Sequence, residues 1–559
     1  ATFPSLLVNA LGGNDSVSIA SAGVTGGLFT TGVTVLGGDA DTDGDSVTLT
    51  GSALTDAISV DLDANTVDGL LNDVGDLITL DSVENLSVDA NSDATDTLTV
   101  AGTSGHDTLT FEPSSATGGA VTLAGGTMDF SYSNLPGTLT VEGGSGGSDV
   151  LVVQGSAGVD AVTTANSTVT LNAAGTVTIG AGIDRLDIQT GAGDDTVTVG
   201  DAVITIPKVI DVGDGNDTVD LSLAAATDPL IIGGLGDDVL TGSPGIDTIL
   251  GGAGNDNISG LAEADVIYGD AGNDTIDGGV GNDAIFGGDG SDEINWTANG
   301  DSDVVEGEDG SDVLNYTSSG TIPVDLSGLR PQVGPAGSLV DAAGIERIDV
   351  ELTANAVADT INVTGSSADD SVSLVGTDDV RISGLSTTVD VNGVVAADTI
   401  DVNTGAGNDT LSVTGIVDDV VLARATSTIG AGDVADAVVT YASLERLDII
   451  ALGAATDTLT VTGPASATYV STPGGTANSG TLETDTIVVG YTGYGTGETL
   501  TIDGDLTVNT GDGDDAIGVA AGGTVSVAGR ADLATSNAGD ALVLVAGDGD
   551  DAVTIAAAH

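Results

Sequence analysis

The sequence predicts an all-β protein with a parallel β-solenoid at its centre. From residue 233 to residue 295 the chain repeats a nine-residue unit in unbroken register, with a glycine-rich turn and an aspartate before each short apolar stretch. Segments such as "DTLTV" alternate with period two and are rich in β-branched residues, which is typical of strands. A turn and a strand within nine residues leave no room for a helix, whereas stacked coils of this size form a solenoid.

Each nonapeptide predicts one turn and one strand. The units are "GGLGDDVLT", "GSPGIDTIL", "GGAGNDNIS", "GLAEADVIY", "GDAGNDTID", "GGVGNDAIF" and "GGDGSDEIN", followed by the looser copies "ANGDSDVVE" and "GEDGSDVLN". Glycines supply the positive φ that tight turns need, and the isoleucine two residues after an aspartate is expected to face the interior. Two nine-residue halves make an 18-residue coil. In the flanks, aspartate pairs such as Asp96 and Asp107, or Asp195 and Asp217, predict a 22-residue coil.

A longer repeat frames the nonapeptides. "SVENLSV" (82–88), "GIDRLDI" (182–188), "GIERIDV" (344–350) and "SLERLDI" (443–449) align, with a middle interval longer than the others by about seven nonapeptides. The nonapeptide array is therefore predicted to be an insertion into one of four units of roughly 100 residues. The predicted segments are an N-terminal β repeat region (1–80), a β repeat unit (81–180), the start of the second repeat unit (181–232), the inserted nonapeptide array (233–316), the third repeat unit (317–442) and the fourth repeat unit with the C-terminal end (443–559).

The flanking units leave two fold classes open. Four immunoglobulin-like β-sandwiches of about 100 residues would explain the long repeat. They would not explain why the aspartates are spaced at multiples of nine or eleven, so β-solenoid-like repeat units are the favoured interpretation.

The charge of the chain points to cations as partners. It has 85 acidic and 8 basic residues among 559, for a formal net charge of −77, and only 12 of the acidic residues are glutamates. No basic patch is available to neutralise phosphate, so nucleic acid and anionic membranes are poor partners. No apolar span is long enough to cross a membrane as a helix, so no membrane-spanning segment is expected. The preference for aspartate over glutamate favours turns and metal loops.

The turns carry the ligands that calcium prefers. Calcium takes six to eight oxygens from carboxylates and backbone carbonyls, and two stacked turns can share one ion. The repeats resemble the RTX (repeat-in-toxin) nonapeptide family, "G-G-x-G-x-D-x-U-x", as found in secreted surface-layer proteins and adhesins. The resemblance implies a right-handed β-roll that folds on several Ca²⁺ ions outside the cell. "GLAEADVIY" departs from the pattern, with Leu261 and Glu263 in glycine positions. The expected metal ligands are Asp238, Asp247, Asp256, Asp265, Asp274, Asp283, Asp292, Asp303 and Asp312.

No catalytic site is predicted, and the protein is not expected to be an enzyme. Histidine occurs only at His106 and His559, and cysteine is absent. His106 is expected to be an exposed turn residue, and Trp296 is expected to cover the end of the apolar row. The arginines that recur in the long repeat are expected to pair with nearby acids; these are Arg185, Arg347 and Arg446.

These features predict a secreted structural protein. We expect it to self-associate into a surface layer, sheath or filament outside the cell, with calcium driving folding and rigidity. Residues 6–19 and 542–555 resemble each other, and neither segment has an obvious polar cap. We expect either that the chain is cut from a longer array or that its ends stack or exchange strands head to tail. Two alternatives stay open: the stalk of a large RTX-type adhesin, and the non-catalytic tail of an exported toxin or enzyme.

Overall fold

The fold is described from a computed structural model. It describes residues 96–352 apart from 126–127, 173–174, 201–203, 298–300, 319–320, 327–329 and 336–338, and outside that stretch it describes strands with a few adjoining residues. The chain divides into two compact units, Ala1–Asp289 and Gly290–His559. The described residues are all-β, with strands and turns and no helix. Nothing in that part of the chain has the length and hydropathy of a membrane-spanning helix.

The first unit carries strands β1 to β28. Their bounds are β1 Leu6–Asn9, β2 Ser16–Ala20, β3 Val33–Leu36, β4 Ser46–Thr50, β5 Ala57–Asp61, β6 Thr66–Asp68, β7 Ile78–Asp81, β8 Asn85–Asp89, β9 Thr97–Ala101, β10 Thr108–Ser115, β11 Gly118–Leu123, β12 Asp129–Ser133, β13 Thr138–Glu142, β14 Asp149–Gln154, β15 Ala161–Ala165, β16 Thr168–Leu171, β17 Gly175–Ile179, β18 Ile183–Ala192, β19 Thr196–Val199, β20 Lys208–Asp214, β21 Thr218–Asp220, β22 Leu230–Leu235, β23 Val239–Thr241, β24 Thr248–Ala253, β25 Asn257–Ser259, β26 Val266–Ala271, β27 Thr275–Asp277 and β28 Ala284–Gly290.

The second unit carries strands β29 to β56. Their bounds are β29 Glu293–Thr297, β30 Asp303–Gly310, β31 Asp312–Ser318, β32 Thr321–Asp325, β33 Gln332–Val333, β34 Val340–Ala343, β35 Ile345–Leu352, β36 Thr360–Thr364, β37 Ser371–Val375, β38 Val380–Ser383, β39 Thr388–Asn392, β40 Thr399–Asn403, β41 Thr410–Thr414, β42 Asp419–Ala423, β43 Thr428–Ala431, β44 Val438–Ala442, β45 Arg446–Ile450, β46 Thr458–Thr462, β47 Thr468–Pro473, β48 Ser479–Glu483, β49 Val488–Thr492, β50 Thr499–Asp503, β51 Asp505–Asn509, β52 Ala516–Val519, β53 Val525–Val527, β54 Asp532–Thr535, β55 Leu542–Val545 and β56 Ala552–Ile555.

Parallel pairing confirms the predicted β-solenoid. In the first unit, β18, β20, β22, β24, β26 and β28 pair in order in one sheet, and β19, β21, β23, β25 and β27 pair in order in the other. Ile249 pairs with Ile267 and Ile258 pairs with Ile276, so the pairing step is twice the nonapeptide period. One coil thus contributes one strand to each sheet, as that period predicts.

The core is a narrow apolar row between the two sheets. The isoleucine two residues after each aspartate is buried, as expected, and Ile249, Ile258, Ile267 and Ile276 are 0–1% exposed. On the outer face Tyr268 stacks on Phe286, with ring centroids 4.9 Å apart.

The flanks are also parallel, but with a different coil. Leu98 pairs with Leu139 and Thr108 pairs with Val150, so the coil here is nearly twice as long as expected. The 22-residue coil expected from Asp96 and Asp107 is therefore wrong. Antiparallel hairpins such as β10–β11 and β15–β16 are inserted between the parallel strands and lengthen the coil. A coil of the expected length occurs later, where Ile188 pairs with Ile210.

Candidate calcium-binding turns

A column of aspartates runs along one side of the first unit. Asp195, Asp217, Asp238, Asp256 and Asp274 each precede a strand of the β19–β27 sheet by one residue, two residues before its first inward apolar side chain. All five are 1–2% exposed. The strand alternation that buries Ile258 also buries Asp256, because side chains two residues apart lie on one face.

Hydrogen bonds link successive aspartates of this column from one coil to the next. The backbone N–H of Asp195 donates to Oδ1 of Asp217 at 2.6 Å, and that of Asp217 donates to Oδ1 of Asp238 at 2.7 Å. Asp238 donates to Asp256, and Asp256 to Asp274, both at 2.8 Å. One oxygen of each acceptor carboxylate is thus used to join successive coils.

The other carboxylate oxygen lacks such a partner in several turns. Oδ2 of Asp195, Asp217, Asp238 and Asp256 is buried and has no hydrogen-bond partner, and the same holds for Oδ2 of Asp265. Buried polar atoms are normally paired, and a buried carboxylate without compensation is costly. These oxygens therefore require either a proton or a cation.

Glycine at the first position of the turn makes room for this oxygen. A Cβ on Gly251 would lie 2.5 Å from Oδ2 of Asp256 and 2.8 Å from the carbonyl oxygen of Gly269 in the next coil. Both distances are too short for real contacts, so a side chain is excluded there. A carboxylate oxygen and a backbone carbonyl oxygen, the ligand types that calcium prefers, thus converge beside this α-carbon.

Two further positions of the turn require left-handed backbone. Gly252 and Gly254 have φ of +112° and +142°, and Gly234 and Gly236 repeat this in the preceding coil. In the divergent unit "GLAEADVIY", Leu261 and Glu263 adopt the same conformation, with φ of +82° and +71°. The turn geometry is therefore kept where glycine is lost, at a cost of about 1–2 kcal/mol for each residue.

A second column on the other side contains Asp247, Asp265 and Asp283. The backbone N–H of Asp247 donates to Oδ1 of Asp265 at 2.7 Å, and that of Asp265 donates to Oδ1 of Asp283 at 2.9 Å. Asp247 differs from the others because Ser243 donates to both of its carboxylate oxygens. The Ser243 N–H donates to Oδ2 at 2.5 Å, and the Ser243 hydroxyl donates to Oδ1 at 2.7 Å.

The only lysine of the chain lies at the start of this second column. Lys208 is 1% exposed, two residues before Ile210, in the position that Asp247 has relative to Ile249. Its Nζ donates to the carbonyl oxygens of Ile204 (3.0 Å) and Ile206 (3.2 Å) and to Oγ1 of Thr227 (2.8 Å). The ammonium is therefore held by oxygen atoms, as a metal ion would be. The sequence pattern did not predict a buried cation at Lys208, because the neighbouring segment lacks a glycine-aspartate turn.

The second unit continues the pattern within itself. The Asp292 N–H donates to Oδ1 of Asp312 at 2.9 Å, and the Asp312 N–H donates to Oε2 of Glu346 at 2.8 Å. Glu346 is the acidic residue of the long repeat, and its counterpart Asp184 in the first unit accepts from the Asp149 N–H at 2.9 Å. In both units, the acidic residue of the long repeat thus accepts a hydrogen bond from the backbone N–H of the aspartate in the preceding coil.

Trp296 and Asp303 are arranged differently from the expectation. The Trp296 indole stacks on Tyr316, with centroids 4.6 Å apart, and its Nε1 donates to Oδ2 of Asp303. Because β29 pairs with β31, the tryptophan lies inside the stack, so the prediction that it covers the end of the apolar row is wrong. The Asp303 carboxylate is engaged by this indole.

Several carboxylates of the two columns have raised pKa values. Burial raises the pKa of Asp238 to about 7, and the charges of Asp256 and Asp217 add to the effect. Burial, with Asp247 and Asp283 nearby, raises the pKa of Asp265 to about 8. The folded coils therefore disfavour these charges unless a cation compensates for them. Lys208 is a cation of this kind for Asp247, and burial lowers its own pKa to about 8.

The other residues singled out from the sequence have structural surroundings. His106 is exposed, and its Nδ1 accepts from the Ser148 N–H at 2.7 Å. Arg185 donates to both carboxylate oxygens of Asp187, and Arg347 does the same to Asp349, which confirms the expected pairing. The side chain of Arg446 lies outside the described residues.

Comparison with known families decides what the repeated turns are. A model of the RTX calcium-binding nonapeptide repeat (four copies) matches residues 232–267, 259–294 and 297–316. This segment is an RTX calcium-binding repeat array. No curated protein matches the chain.

RTX nonapeptide repeats bind several Ca²⁺ ions in each array and are typical of secreted proteins. The described part of the RTX array (232–316) contains no group of three or more acidic or histidine side chains around one point. Its buried carboxylates are instead distributed one to a turn, so that backbone carbonyls would have to supply most other ligands of a bound ion.

Proposed function

We propose that this chain is a secreted structural protein whose coils are completed by calcium outside the cell. The observation that carries this proposal is the row of buried Oδ2 atoms without hydrogen-bond partners at Asp238, Asp256 and Asp265. Calcium would supply the positive charge and the oxygen coordination that these atoms lack. The coils themselves hold the carboxylates in place through the bonds from backbone N–H groups to Oδ1.

The proposed ligands are aspartates of the array together with carbonyl oxygens of its turns. By position they are Asp238, Asp256, Asp265, Asp274, Asp283, Asp292 and Asp312. Asp247 and Asp303 are not among the proposed ligands, because Ser243 and Trp296 already donate hydrogen bonds to their carboxylates.

The free energy of calcium binding is large enough to decide folding. Extracellular calcium modules have Kd values of about 0.1–1 mM. At ten times Kd each site adds about 1.4 kcal/mol, so roughly six sites add about 8 kcal/mol. That equals the stability of an ordinary domain. The array would thus be unfolded where calcium is scarce and folded after export.

Self-association of the chain would depend on calcium, because the ions bound in the turns leave other surface charge uncompensated. Acidic side chains such as Asp194, Asp237 and Glu308 are exposed on the turns. Like-charged surfaces repel a second copy unless divalent cations lie between them. We therefore propose that copies of the chain assemble into a layer, sheath or filament only in the presence of calcium.

Electron microscopy of the purified protein tests this proposal. Ordered polymers in millimolar calcium, absent in EDTA, are the expected result. Folded monomers in calcium would exclude self-assembly and favour the adhesin stalk. Equal β-sheet circular dichroism in EDTA and in calcium would contradict the role of calcium in folding.

A further inference from the structure

In three turns of the first unit, a serine or threonine of the same turn donates hydrogen bonds to the aspartate carboxylate. The residue four positions before the aspartate is Thr103 for Asp107, Ser156 for Asp160 and Ser243 for Asp247. The N–H of Thr103 donates to Oδ2 of Asp107 at 2.6 Å, and its hydroxyl donates to Oδ1 at 2.8 Å.

The other two turns repeat this arrangement. The N–H of Ser156 donates to Oδ2 of Asp160 at 2.6 Å, and Ser243 makes the equivalent bond to Asp247 at 2.5 Å. The backbone of Thr103, Ser156 and Ser243 is not left-handed. A backbone N–H and a hydroxyl therefore donate hydrogen bonds to the carboxylates of these turns, and no metal ion is needed to satisfy their oxygens.

In a second class of turn, the residue four positions before the aspartate is left-handed. Gly191 precedes Asp195 with φ of +104°, and Gly213 precedes Asp217 with φ of +94°. In the RTX array, Gly252 and Leu261 hold the same position and conformation before Asp256 and Asp265. Oδ2 of all four aspartates is buried without a hydrogen-bond partner.

The turns at 191–195 and 213–217 lie outside the residues that match the RTX family. Their coil is longer, because 22 residues separate Asp195 from Asp217 and 21 separate Asp217 from Asp238. The glycine positions nevertheless stay in register with the array. A side chain on Gly213 or Gly215 would collide with the carbonyl oxygen of Gly191 or Gly193 in the preceding coil.

We propose that Asp195 and Asp217 bind calcium together with carbonyl oxygens of their turns, and that Asp107, Asp160 and Asp247 do not. The backbone conformation four residues before the aspartate separates the two classes. A left-handed residue leaves Oδ2 for the metal, whereas a serine or threonine of ordinary φ caps it. This inference rests on the proposed calcium binding of the array. It adds Asp195 and Asp217, which lie N-terminal to the array, as calcium ligands, and it excludes Asp247 inside the array.

Calcium counting on full-length variants tests the inference. Equilibrium dialysis against calcium, followed by elemental analysis, gives the number of ions bound to each chain. Asp195→Asn and Asp217→Asn keep an acceptor for the neighbouring N–H, and each should lose at least one ion. Asp194→Asn is the matched control, because it removes the same charge from an exposed neighbour and should lose none. Asp247→Asn should also lose none.

Several outcomes would overturn the inference. These are unchanged calcium numbers in Asp195→Asn and Asp217→Asn, an equal loss in Asp194→Asn, or a loss in Asp247→Asn. Asp256→Asn separates the two proposals. If it loses calcium while Asp195→Asn does not, the array binds calcium and the extension fails. If the unsubstituted chain binds none, the proposed function fails.

A second measurement needs no variant and so is independent of any folding defect. A calcium anomalous difference map from crystals of the unsubstituted protein should show peaks between the turns 191–195 and 213–217, and none at Ser156 or Ser243. A map with peaks in the array alone would overturn the extension.

Discussion

The backbone N–H of Asp238 donates to Oδ1 of Asp256, 18 residues later, at 2.8 Å. The same carboxylate leaves Oδ2 buried without a hydrogen-bond partner. One side chain therefore joins two coils through one oxygen and requires a proton or a cation at the other.

Replacement of Asp256 by asparagine should act in opposite directions with and without calcium. In calcium, loss of a carboxylate ligand should cost about 1.4 kcal/mol or more of stability, which is one site at ten times its Kd. In EDTA, the variant should keep at least as much β-structure as the unsubstituted chain, because a buried charge is removed. Thermal unfolding in calcium measures the first effect, and β-sheet circular dichroism in EDTA measures the second. Asp237→Asn, an exposed change of equal charge, is the control, and an unchanged melting temperature of Asp256→Asn in calcium would contradict a metal role for Asp256.

Acid should stabilise the calcium-free fold. Burial raises the pKa of Asp217 to about 6, of Asp238 to about 7 and of Asp265 to about 8, all well above the ordinary aspartate value of 3.8. The folded state therefore binds more protons than the unfolded chain between pH 4 and pH 8, and its stability falls as the pH rises through this window. Circular dichroism in EDTA should show β-structure increasing from pH 8 to pH 4. In calcium the same acidification should release metal, because protons compete for the carboxylates.

Lys208→Met should destabilise the first unit by the same amount at every calcium concentration at which it is folded. The ammonium satisfies two carbonyl oxygens and Oγ1 of Thr227, and its removal leaves these buried acceptors and the Asp247 charge without their cation. We expect a loss of about 3 kcal/mol in denaturant unfolding. Arg185→Met is the control, because its ion pair with Asp187 is half exposed and contributes less than about 1 kcal/mol. Equal effects of the two changes would contradict the role assigned to Lys208.

Because Lys208 is the single lysine, its reactivity reports on folding. An amine-reactive ester should modify only the α-amino group of the folded protein in calcium, and should modify Lys208 as well once the chain unfolds in EDTA. Peptide mass spectrometry identifies the modified residue. Rapid modification of Lys208 in calcium would show that it is not buried.

Gly251→Ala should be far more costly than Gly158→Ala. A Cβ on Gly251 would lie 2.5 Å from Oδ2 of Asp256, whereas the nearest atom to a Cβ on Gly158 is Oγ of Ser156 at 3.8 Å. Overpacking of this kind costs about 1–3 kcal/mol, and here it also displaces the proposed calcium ligand. Calcium titrations followed by circular dichroism should show a raised midpoint for Gly251→Ala and an unchanged one for Gly158→Ala. Equal midpoints would contradict the assignment of Oδ2 to the metal.

Sequence periodicity predicted the architecture of the array because each coil repeats one pattern. The nine-residue register defined the step between Ile258 and Ile276, and alternation identified the buried isoleucines. The same pattern located the aspartates of the turns. It did not predict the longer coils of the flanks, because hairpins such as β15–β16 interrupt the parallel stacking without changing the local strand pattern.

The sequence by itself determined the β-roll period, the parallel stacking of the array and the acidic turns, since these follow from repeated local geometry. Only the tertiary structure decided which carboxylates lack partners. Ser243 caps Asp247, and Lys208 lies in register with Asp247 although the two are far apart along the chain. Such contacts depend on which coil lies next to which, and coil length outside the nonapeptides is not fixed by a repeat. The charge of a buried aspartate is therefore set by its neighbours in the stack, which local sequence does not specify.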